Sequence, residues 1–229
     1  MAVTMVTGAT GGIGTAVVRR FRARGDDIIA VGRNPESVKA LDARPVVVDL
    51  AVPGSIAAAI DALGLQSLDV LVYCAGVIEL GAVADTRPET WSEHLTVNLV
   101  AAAEVIRCVL PALRRAGGHV VLINYNGYGH VAPGWGPYAA SKEGLRSLAD
   151  VLRAEEERHG VKVTSVYPAC TATEMQRGIR EGHGRRYRPD AYVQPDSLAG
   201  LVLAAVESPS DARVTDVTVS MASPSAAVR

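Results

Sequence analysis

Tyr138 and Lys142 stand four residues apart in the sequence. On a helix this spacing places the two side chains one above the other on the same face. A phenol ordinarily titrates near pH ~10, and a neighbouring ammonium favours the phenolate and lowers that pKa. The pair could therefore act as a general acid or base. Because tyrosine and lysine also recur at this spacing by chance, the surrounding elements must supply the context.

A glycine-rich turn near the start of the sequence predicts nucleotide binding. Gly8, Gly12 and Gly14 follow a short apolar strand and precede a helical pattern. In such a turn a tight bend, close backbone approach and helix packing each exclude a side chain. The free amides and the positive dipole end at the helix start would hold a pyrophosphate. The spacing is Gly-xxx-Gly-x-Gly, which differs from the commoner Gly-x-Gly-xx-Gly turn.

Apolar runs and helical patterns alternate along the whole chain. The predicted strands are Ala2–Val6, Asp27–Val31, Pro45–Val48, Val70–Tyr73, His119–Ile123, Val161–Val166 and Val214–Val219. The predicted helices run from Gly14 to Gly25, Pro35 to Leu41, Gly54 to Leu63, Pro88 to Arg115, Ser141 to His159 and Pro195 to Glu207. This alternation indicates βαβ units. We therefore predict an α/β fold over residues 1–229: a single doubly wound parallel sheet of about seven strands, Rossmann-like, with helices on both faces.

The composition narrows the classes of partner. The 229 residues suit one α/β domain, and a formal net charge of −1 provides no global field to recruit nucleic acid or an anionic membrane. Cys74, Cys108 and Cys170 lie far apart, with no CxxC pair and no metal-ligand spacing. This pattern predicts no metal site and a reducing, cytoplasmic setting. Because no run of eighteen apolar residues occurs, we expect no membrane span.

Several motifs together resemble the short-chain dehydrogenase/reductase (SDR) superfamily. They are Thr7-Gly8-Ala9-Thr10-Gly11-Gly12-Ile13-Gly14, Asp49-Leu50, Cys74-Ala75-Gly76, Asn98, Tyr138-Ala-Ala-Ser-Lys142 and Tyr167-Pro168. They occur in the family's order and with its spacings, over essentially the whole chain. The resemblance implies an NAD(P)-dependent enzyme that interconverts a carbonyl and an alcohol in a small-molecule substrate.

The same resemblance implies a role for individual residues. Tyr138 would give a proton to the carbonyl oxygen, and Lys142 would lower the pKa of that tyrosine and bind the nicotinamide ribose. Asn98 would hold a water that relays protons to Lys142, although alone it would be read as a helix-surface amide. Asp49 would cap the adenine, and Thr173, otherwise a plain loop residue, would reach the nicotinamide carboxamide or a phosphate. The implied cofactor-binding set is Gly8, Thr10, Gly12, Ile13, Gly14, Arg33, Asp49, Leu50, Cys74, Ala75, Gly76, Tyr138, Lys142, Pro168, Thr171 and Thr173.

The end of the second strand bears on the choice between NAD and NADP. An NAD site normally places a carboxylate there, which accepts a hydrogen bond from the ribose 2′-hydroxyl. Here Gly32 stands at that point and Arg33 follows. A guanidinium suits a 2′-phosphate. We therefore expect NADP(H) in preference to NAD(H), the alternative being that Arg33 is a solvated loop residue.

Three positions depart from the family pattern. Cys74 stands where the family usually has asparagine, and Ala169 stands where a glycine normally follows the proline after the sixth strand. The family's substrate-orienting serine lies thirteen residues before the catalytic tyrosine, a position that Tyr125 occupies here. Loss of one such donor to the carbonyl costs about 2.7–4 kcal/mol. We expect Tyr125, Asn126 or a water to replace the serine, and Tyr125 is accordingly a candidate catalytic residue.

Residues 174–194 are predicted to form a substrate lid within the domain. This segment is polar, has little hydrophobic periodicity and carries five arginines: Arg177, Arg180, Arg185, Arg186 and Arg188. The arginines could attract an anionic substrate or form a solvated loop, and a solvated loop is the commoner case. The side chains of Trp135 and Tyr128 are expected to line the substrate pocket. By resemblance we also expect a homo-oligomer, a dimer or a tetramer.

Two functional hypotheses follow from these residues. The first is an NADPH-dependent carbonyl reductase or alcohol dehydrogenase, in which Tyr138 transfers the proton. The second takes the missing serine as the mark of a changed role. In that case the chain would be a non-redox enzyme on the same fold, such as an isomerase, cyclase or dehydratase, or a nucleotide-sensing protein.

Overall fold

The structure is a computed structural model that describes residues 1–125, 127, 133–209 and 211–222. Seven strands form one sheet in these residues. Their bounds are β1 Val3–Thr7, β2 Asp27–Gly32, β3 Arg44–Val47, β4 Val70–Tyr73, β5 His119–Ile123, β6 Lys162–Pro168 and β7 Asp216–Val219. Short apolar strands with many β-branched residues suit a sheet that is buried on both faces.

All the strand pairs are parallel, and the strand order is β3-β2-β1-β4-β5-β6-β7. Strand β1 pairs with both β2 and β4, so the chain direction across the sheet reverses at the β1–β4 boundary. Ligands of open α/β sheets bind outside the carboxyl ends of the strands at such a switch point. The predicted Rossmann-like α/β sheet with helices on both faces is confirmed.

Eight α-helices connect the strands of the described chain. Their bounds are α1 Gly12–Arg24, α2 Pro35–Lys39, α3 Ile56–Asp61, α4 Pro88–Leu95, α5 Ala101–Ala116, α6 Gly136–Glu156, α7 Glu174–Gly182 and α8 Pro195–Val206. Helices α3, α5 and α6 bury apolar side chains on one face of the sheet. Helices α1, α2 and α8 do so on the other face, where the fully buried Phe21 is the only phenylalanine of the chain. Burial of such a ring contributes about 1.5–3 kcal/mol.

Several predicted bounds differ from the structure, most clearly at the start of α6 and in the lid segment. Helix α6 begins at Gly136, not at Ser141, because Pro137 lies in its first turn, where a missing N–H costs nothing. The lid segment also contains a helix, α7, although its sequence showed little hydrophobic periodicity. The hydroxyl of Thr173 caps α7 by accepting from the amide of Gln176 at 3.2 Å.

The helical stretch between β4 and β5 is interrupted by a wide turn. A π-helical turn at Thr96–Val100 separates α4 from α5. The stretch Pro88–Ala116 is long and apolar enough to cross a membrane by length and composition. In this structure it is a core helix, since Ala102, Val105 and Val109 are buried in the layer against the sheet. Insertions of this kind in helices often occur at functional sites.

Candidate active site

One cleft of about 620 Å³ runs along the carboxyl ends of the strands. The segments that follow β1 to β6 all contribute residues to its lining, and helix α7 contributes residues on the lid side. The glycine turn lies within this cleft together with Tyr138 and Lys142. The topology therefore brings the two chemical features that stand about 130 residues apart in the sequence to one edge of the sheet.

The glycine turn accepts no side chain at its critical positions. Gly8 has a φ of +61°, a backbone conformation that favours glycine. A Cβ on Gly14 would lie 2.1 Å from the carbonyl oxygen of Gly8, so the turn could not close. A Cβ on Gly12 would lie 2.7 Å from the methyl group of Thr173. Each of the three glycines is thus required by a turn, a helix contact or a contact with the lid.

The start of α1 suits an anion. Gly11 precedes the helix, and no side chain caps its first turn or places a carboxylate there. The amides of the first turn and the positive end of the helix dipole are therefore left for an external acceptor. The backbone of the turn approaches the cleft with no Cβ in the way. These residues fit the pyrophosphate of a dinucleotide. Thr10 and Ile13 line the cleft beside them.

The end of β2 offers a cation and no carboxylate. Gly32 is the last residue of β2, and a Cβ added there would meet a methyl group of Val38 at 2.7 Å. Arg33 follows it, lines the cleft and is exposed, and its side chain forms no ion pair within the described residues. Asp49 and Leu50 line the cleft next to it. The Asp49 carboxylate accepts from the amide of Ala51 at 2.9 Å.

The residues after β4 line the middle of the cleft, between the glycine turn and Tyr138. Cys74, Ala75 and Gly76 all line it. The Ala75 amide donates to the Thr7 hydroxyl at 3.3 Å, and the Ala75 backbone lies so close to Gly8 that a Cβ on Gly8 would be 2.9 Å away. Burial raises the pKa of the Cys74 thiol to about 12. Cys74 is therefore a neutral, packed thiol at neutral pH.

Tyr138 and Lys142 lie on the first two turns of α6 and are both buried. The Lys142 ammonium donates to the carbonyl oxygen of Ile123 at 2.9 Å. It lies 5.8 Å from the centre of the Tyr138 ring. Burial lowers the pKa of Lys142 to about 8. At neutral pH the lysine is still mostly charged.

The pKa of Tyr138 lies above its ordinary value in this structure, whereas the family resemblance implies that Lys142 lowers it. Burial raises the pKa of Tyr138, and Tyr125 and Cys170 raise it further. The reason is geometric. Lys142 directs its ammonium to the carbonyl oxygen of Ile123, and burial removes most of the water that would stabilise a phenolate at Tyr138. Tyr138 is therefore a protonated phenol at neutral pH.

Asn98 lies in the π-helical turn and is fully buried, so it is not a helix-surface amide. Its Nδ2 donates to the Val77 carbonyl at 3.0 Å and to the Ser141 hydroxyl at 2.9 Å. Its Oδ1 accepts from the Val77 amide at 2.8 Å. The Ser141 hydroxyl in turn donates to the carbonyl oxygen of Tyr138 at 2.7 Å. The side chain thus fastens the segment after β4 to α6.

Three aromatic rings meet at the Tyr138 end of the cleft. Tyr125 stacks on Trp135 with ring centres 5.3 Å apart and planes 13° apart. Tyr138 is edge-on to both, at 5.3 Å from Tyr125 and 5.8 Å from Trp135. A Cβ on Gly127 would lie 1.8 Å from the Tyr125 ring, so that glycine makes room for it. The predicted contributions of Asn126 and Tyr128 lie outside the described residues.

The segment after β6 closes the cleft on the lid side. Pro168, Thr171 and Thr173 line the cleft. The Thr171 hydroxyl donates to the Ala169 carbonyl at 2.9 Å, and a parallel bridge joins Thr171 to Val193 at the base of the lid. Thr173 packs against Gly12 and caps α7. Within the described residues none of the five lid arginines lines the cleft, which α7 meets instead with Glu174, Met175, Gln176 and Ile179.

Asn124 and Cys170 line the cleft as well, although their sequence context did not predict them as site residues. Asn124 follows β5 directly and is buried, and its Oδ1 accepts from the Tyr125 amide at 2.9 Å. That bond fixes the orientation of the amide and leaves its buried Nδ2 without a partner among the described residues. Cys170 lines the cleft near Tyr125 and Tyr138, and burial raises its pKa. Their positions at the ends of β5 and β6 were the available signal.

The fold and the cleft together define a nucleotide-binding α/β protein. Residues 2–184 match the family model described as short chain dehydrogenase. The chain is 32% identical to Dehydrogenase/reductase SDR family member 7B of Bos taurus, over 87% of this chain and 70% of that protein. These matches show that the chain belongs to the SDR family of oxidoreductases.

Two solved structures carry the same architecture. One is a single-residue variant of actinorhodin polyketide ketoreductase with NADPH, at 27% identity and a TM-score of 0.85 over 95% of both chains. The other is a metagenomic short-chain oxidoreductase in complex with NADP, at 28% identity and a TM-score of 0.80, over 95% of this chain and 96% of that one. The cleft described above therefore belongs to an oxidoreductase fold.

Proposed function

We propose that the protein is an NADP(H)-dependent oxidoreductase that interconverts a small-molecule carbonyl and an alcohol. The observation that carries the proposal is the placement of Tyr138 and Lys142 in the same cleft as the glycine turn. A buried proton donor beside a dinucleotide-shaped groove suits carbonyl reduction. When bound, the nicotinamide cofactor supplies the hydride.

The protonation of Tyr138 favours the direction of reduction at neutral pH. Because its pKa is raised, the phenol carries the proton that the carbonyl oxygen requires. The Lys142 ammonium lies 5.8 Å from the centre of the Tyr138 ring and places a positive charge beside the phenol. Asn98 and Ser141 hold the start of α6 in place. The reverse reaction needs a phenolate and is therefore expected to require a higher pH.

The preference for NADP(H) over NAD(H) is supported by the end of β2. Gly32 provides no carboxylate for a ribose 2′-hydroxyl, and Arg33 offers a guanidinium without a described partner. A fork of N–H donors matches a phosphate. Both solved relatives named above were obtained with NADPH or NADP, which agrees with this choice.

The second candidate function rests on Tyr125. By the family pattern a serine would stand at this position and donate to the substrate carbonyl, whereas Tyr125 packs its ring against Trp135 and Tyr138. If no donor replaces the serine, the cleft would hold the cofactor for a non-redox reaction, such as an isomerisation, cyclisation or dehydration, or for nucleotide sensing. The intact tyrosine and lysine favour the reductase.

The test is oxidation of NADPH by the purified protein, followed by absorbance over a panel of ketones with NADH in parallel. Turnover of at least one ketone, faster with NADPH, is the expected result. Binding of NADPH with no consumption by any carbonyl compound would reject the reductase. Strong activity gained in Tyr125→Ser would then identify the missing donor as the cause and support the second function.

We also propose a homo-oligomer, a dimer or a tetramer, in a cytoplasmic setting. The support is a set of large apolar side chains exposed on the layer of α4, the π-helical turn and α6: Leu95 at 36%, Val100 at 48% and Val151 at 51%. Burial of exposed apolar side chains in an interface removes them from water and so favours association. Light scattering on Val151→Lys, compared with the unaltered chain, tests whether this layer forms the interface.

A further inference from the structure

The substrate end of the cleft has an aromatic wall. Tyr125 and Trp135 are partly exposed and line the cleft, and their rings are stacked within 13° of parallel. The chain has two tryptophans, seven tyrosines and one phenylalanine, so the meeting of three rings at Tyr138 is a marked concentration. Aromatic rings attract other rings through edge-to-face and offset contacts.

The lid side of the cleft also contributes apolar side chains, beside Glu174 and Gln176. Helix α7 directs Met175 and Ile179 to the cleft. Methionine adapts to flat ligands and makes favourable contacts with rings. Val97 and Ile78 add further apolar surface from the other side.

Two of the lid arginines, Arg177 and Arg188, form contacts away from the cleft. Arg177 lies 4.9 Å over the ring of Tyr187 and pairs with Glu174 at 3.2 Å. Arg188 pairs with Asp190 at 3.6 Å. None of the five lid arginines lines the cleft in the described chain. The lid therefore provides no positive charge that would compensate the burial of an anionic substrate.

We propose that Tyr125 acts through its ring, and that the Tyr125–Trp135 pair selects uncharged substrates with a flat ring next to the carbonyl, such as aryl ketones. This inference rests on the proposed carbonyl chemistry and names its substrate class. The ring of the substrate packs against the Tyr125–Trp135 wall, and its carbonyl oxygen faces the Tyr138 hydroxyl. Packing between rings gives the flat substrate about 2- to 12-fold tighter binding than a saturated analogue of similar size.

The experiment compares acetophenone with cyclohexyl methyl ketone, which differ in the flatness of the ring. Because conjugation changes the reactivity of the carbonyl, the readout is KM, and kcat is recorded separately. The expected result is a KM about 2- to 12-fold lower for acetophenone. Tyr125→Leu or Trp135→Leu should remove most of that difference, while Tyr125→Phe, which keeps the ring and loses the hydroxyl, should retain it. Equal KM values in the unaltered chain, or a preference that survives both leucine variants, would overturn the proposal.

A binding measurement separates this inference from the proposed function. The chain contains two tryptophans, so Trp91→Phe leaves Trp135 as the only tryptophan reporter. Quenching of its emission by each ketone, with NADP⁺ present, reports binding without turnover. Preferential quenching by acetophenone in a protein that reduces no ketone would retain the aromatic site and reject the reductase. Turnover of ketones with no preference in either assay would retain the reductase and reject the aromatic site.

Discussion

The ammonium of Lys142 donates a hydrogen bond to the carbonyl oxygen of Ile123 at 2.9 Å. This bond joins α6 to the last residue of β5 and fixes the lysine beside Tyr138. It also keeps a positive charge in a buried place, where burial lowers the lysine pKa to about 8. The Tyr138–Lys142 pair is therefore held at a cost to the stability of the fold.

Lys142→Met should stabilise the protein at pH 7. The lowering of the Lys142 pKa from 10.5 to about 8 corresponds to roughly 3 kcal/mol, and the lost bond to Ile123 offsets part of the gain. We expect a net gain of about 1–2 kcal/mol in the free energy of unfolding, measured in urea.

The pKa of Lys142 is lower in the folded state than in the unfolded state, so the unfolded state binds more protons between the two values. The unaltered chain should therefore gain stability as the pH rises above about 8. The difference in unfolding free energy between Lys142→Met and the unaltered chain should then become smaller. A variant that is less stable at pH 7 would contradict this explanation.

Arg33→Leu should weaken NADPH binding and leave NADH binding nearly unchanged. A charge-assisted bond to a phosphate is worth about 1.5–3 kcal/mol, or about 10- to 150-fold in Kd. The measurement is calorimetric titration with both cofactors. Arg186→Leu is the matched control, since it removes the same charge from an exposed lid residue that does not line the cleft. Equal losses for NADPH and NADH, or for the two variants, would remove Arg33 from phosphate recognition.

Gly14→Ala should abolish cofactor binding and destabilise the fold by more than about 2 kcal/mol, because the new methyl group would overlap the Gly8 carbonyl 2.1 Å away. Gly178→Ala is the control, since nothing lies within 4 Å of its added methyl group. In the middle of α7, that change should stabilise the helix by up to about 1 kcal/mol. Thermal unfolding with and without NADPH measures both effects. Normal NADPH binding by Gly14→Ala would show that the turn has another conformation.

His119 should make the protein sensitive to acid. Its Nε2 faces the Thr164 hydroxyl at 2.7 Å, and that hydroxyl donates to the Val214 carbonyl, so Nε2 carries the proton. Burial and the nearby Lys162 lower the His119 pKa from 6.5 to about 4. Between these values the unfolded state binds more protons, and stability falls by roughly 3 kcal/mol as the pH drops from 6.5 to 4.

His119→Gln should flatten that part of the pH dependence in urea unfolding. His183→Gln, at an exposed histidine in the lid, is the control and should leave the dependence intact. An unchanged slope in His119→Gln would assign the acid sensitivity to other groups.

Much of the fold could be predicted because local patterns agree with it. The bounds predicted for β4 and β5 match the structure. Each strand is a short apolar run, and residues typical of loops follow it in the sequence. Helix α7 was missed because its apolar stripe consists of only two residues, Met175 and Ile179, set among charged and polar residues and glycines. The start of α6 was misplaced because its first turn contains glycine and proline.

The electrostatics of the site could not be predicted from spacing. A separation of four places Tyr138 and Lys142 on one face of α6, but the spacing does not reveal that the ammonium turns to Ile123. Nor does the spacing reveal that the side-chain amide of Asn98 forms hydrogen bonds with Val77 and Ser141, which lie 21 and 43 residues away. Such partners are set by the packing of distant segments, and burial then decides the direction of each pKa shift.

NADPH oxidation by the Tyr138→Phe variant, with the best ketone of the panel, tests directly whether Tyr138 donates the proton. The change removes the proton donor and keeps the ring, so kcat should fall by about 100-fold or more. The Kd for NADPH should stay within a few-fold of its original value. Tyr187→Phe, in the lid and away from the cleft, serves as the control. A Tyr138→Phe variant that retains full turnover would contradict the account.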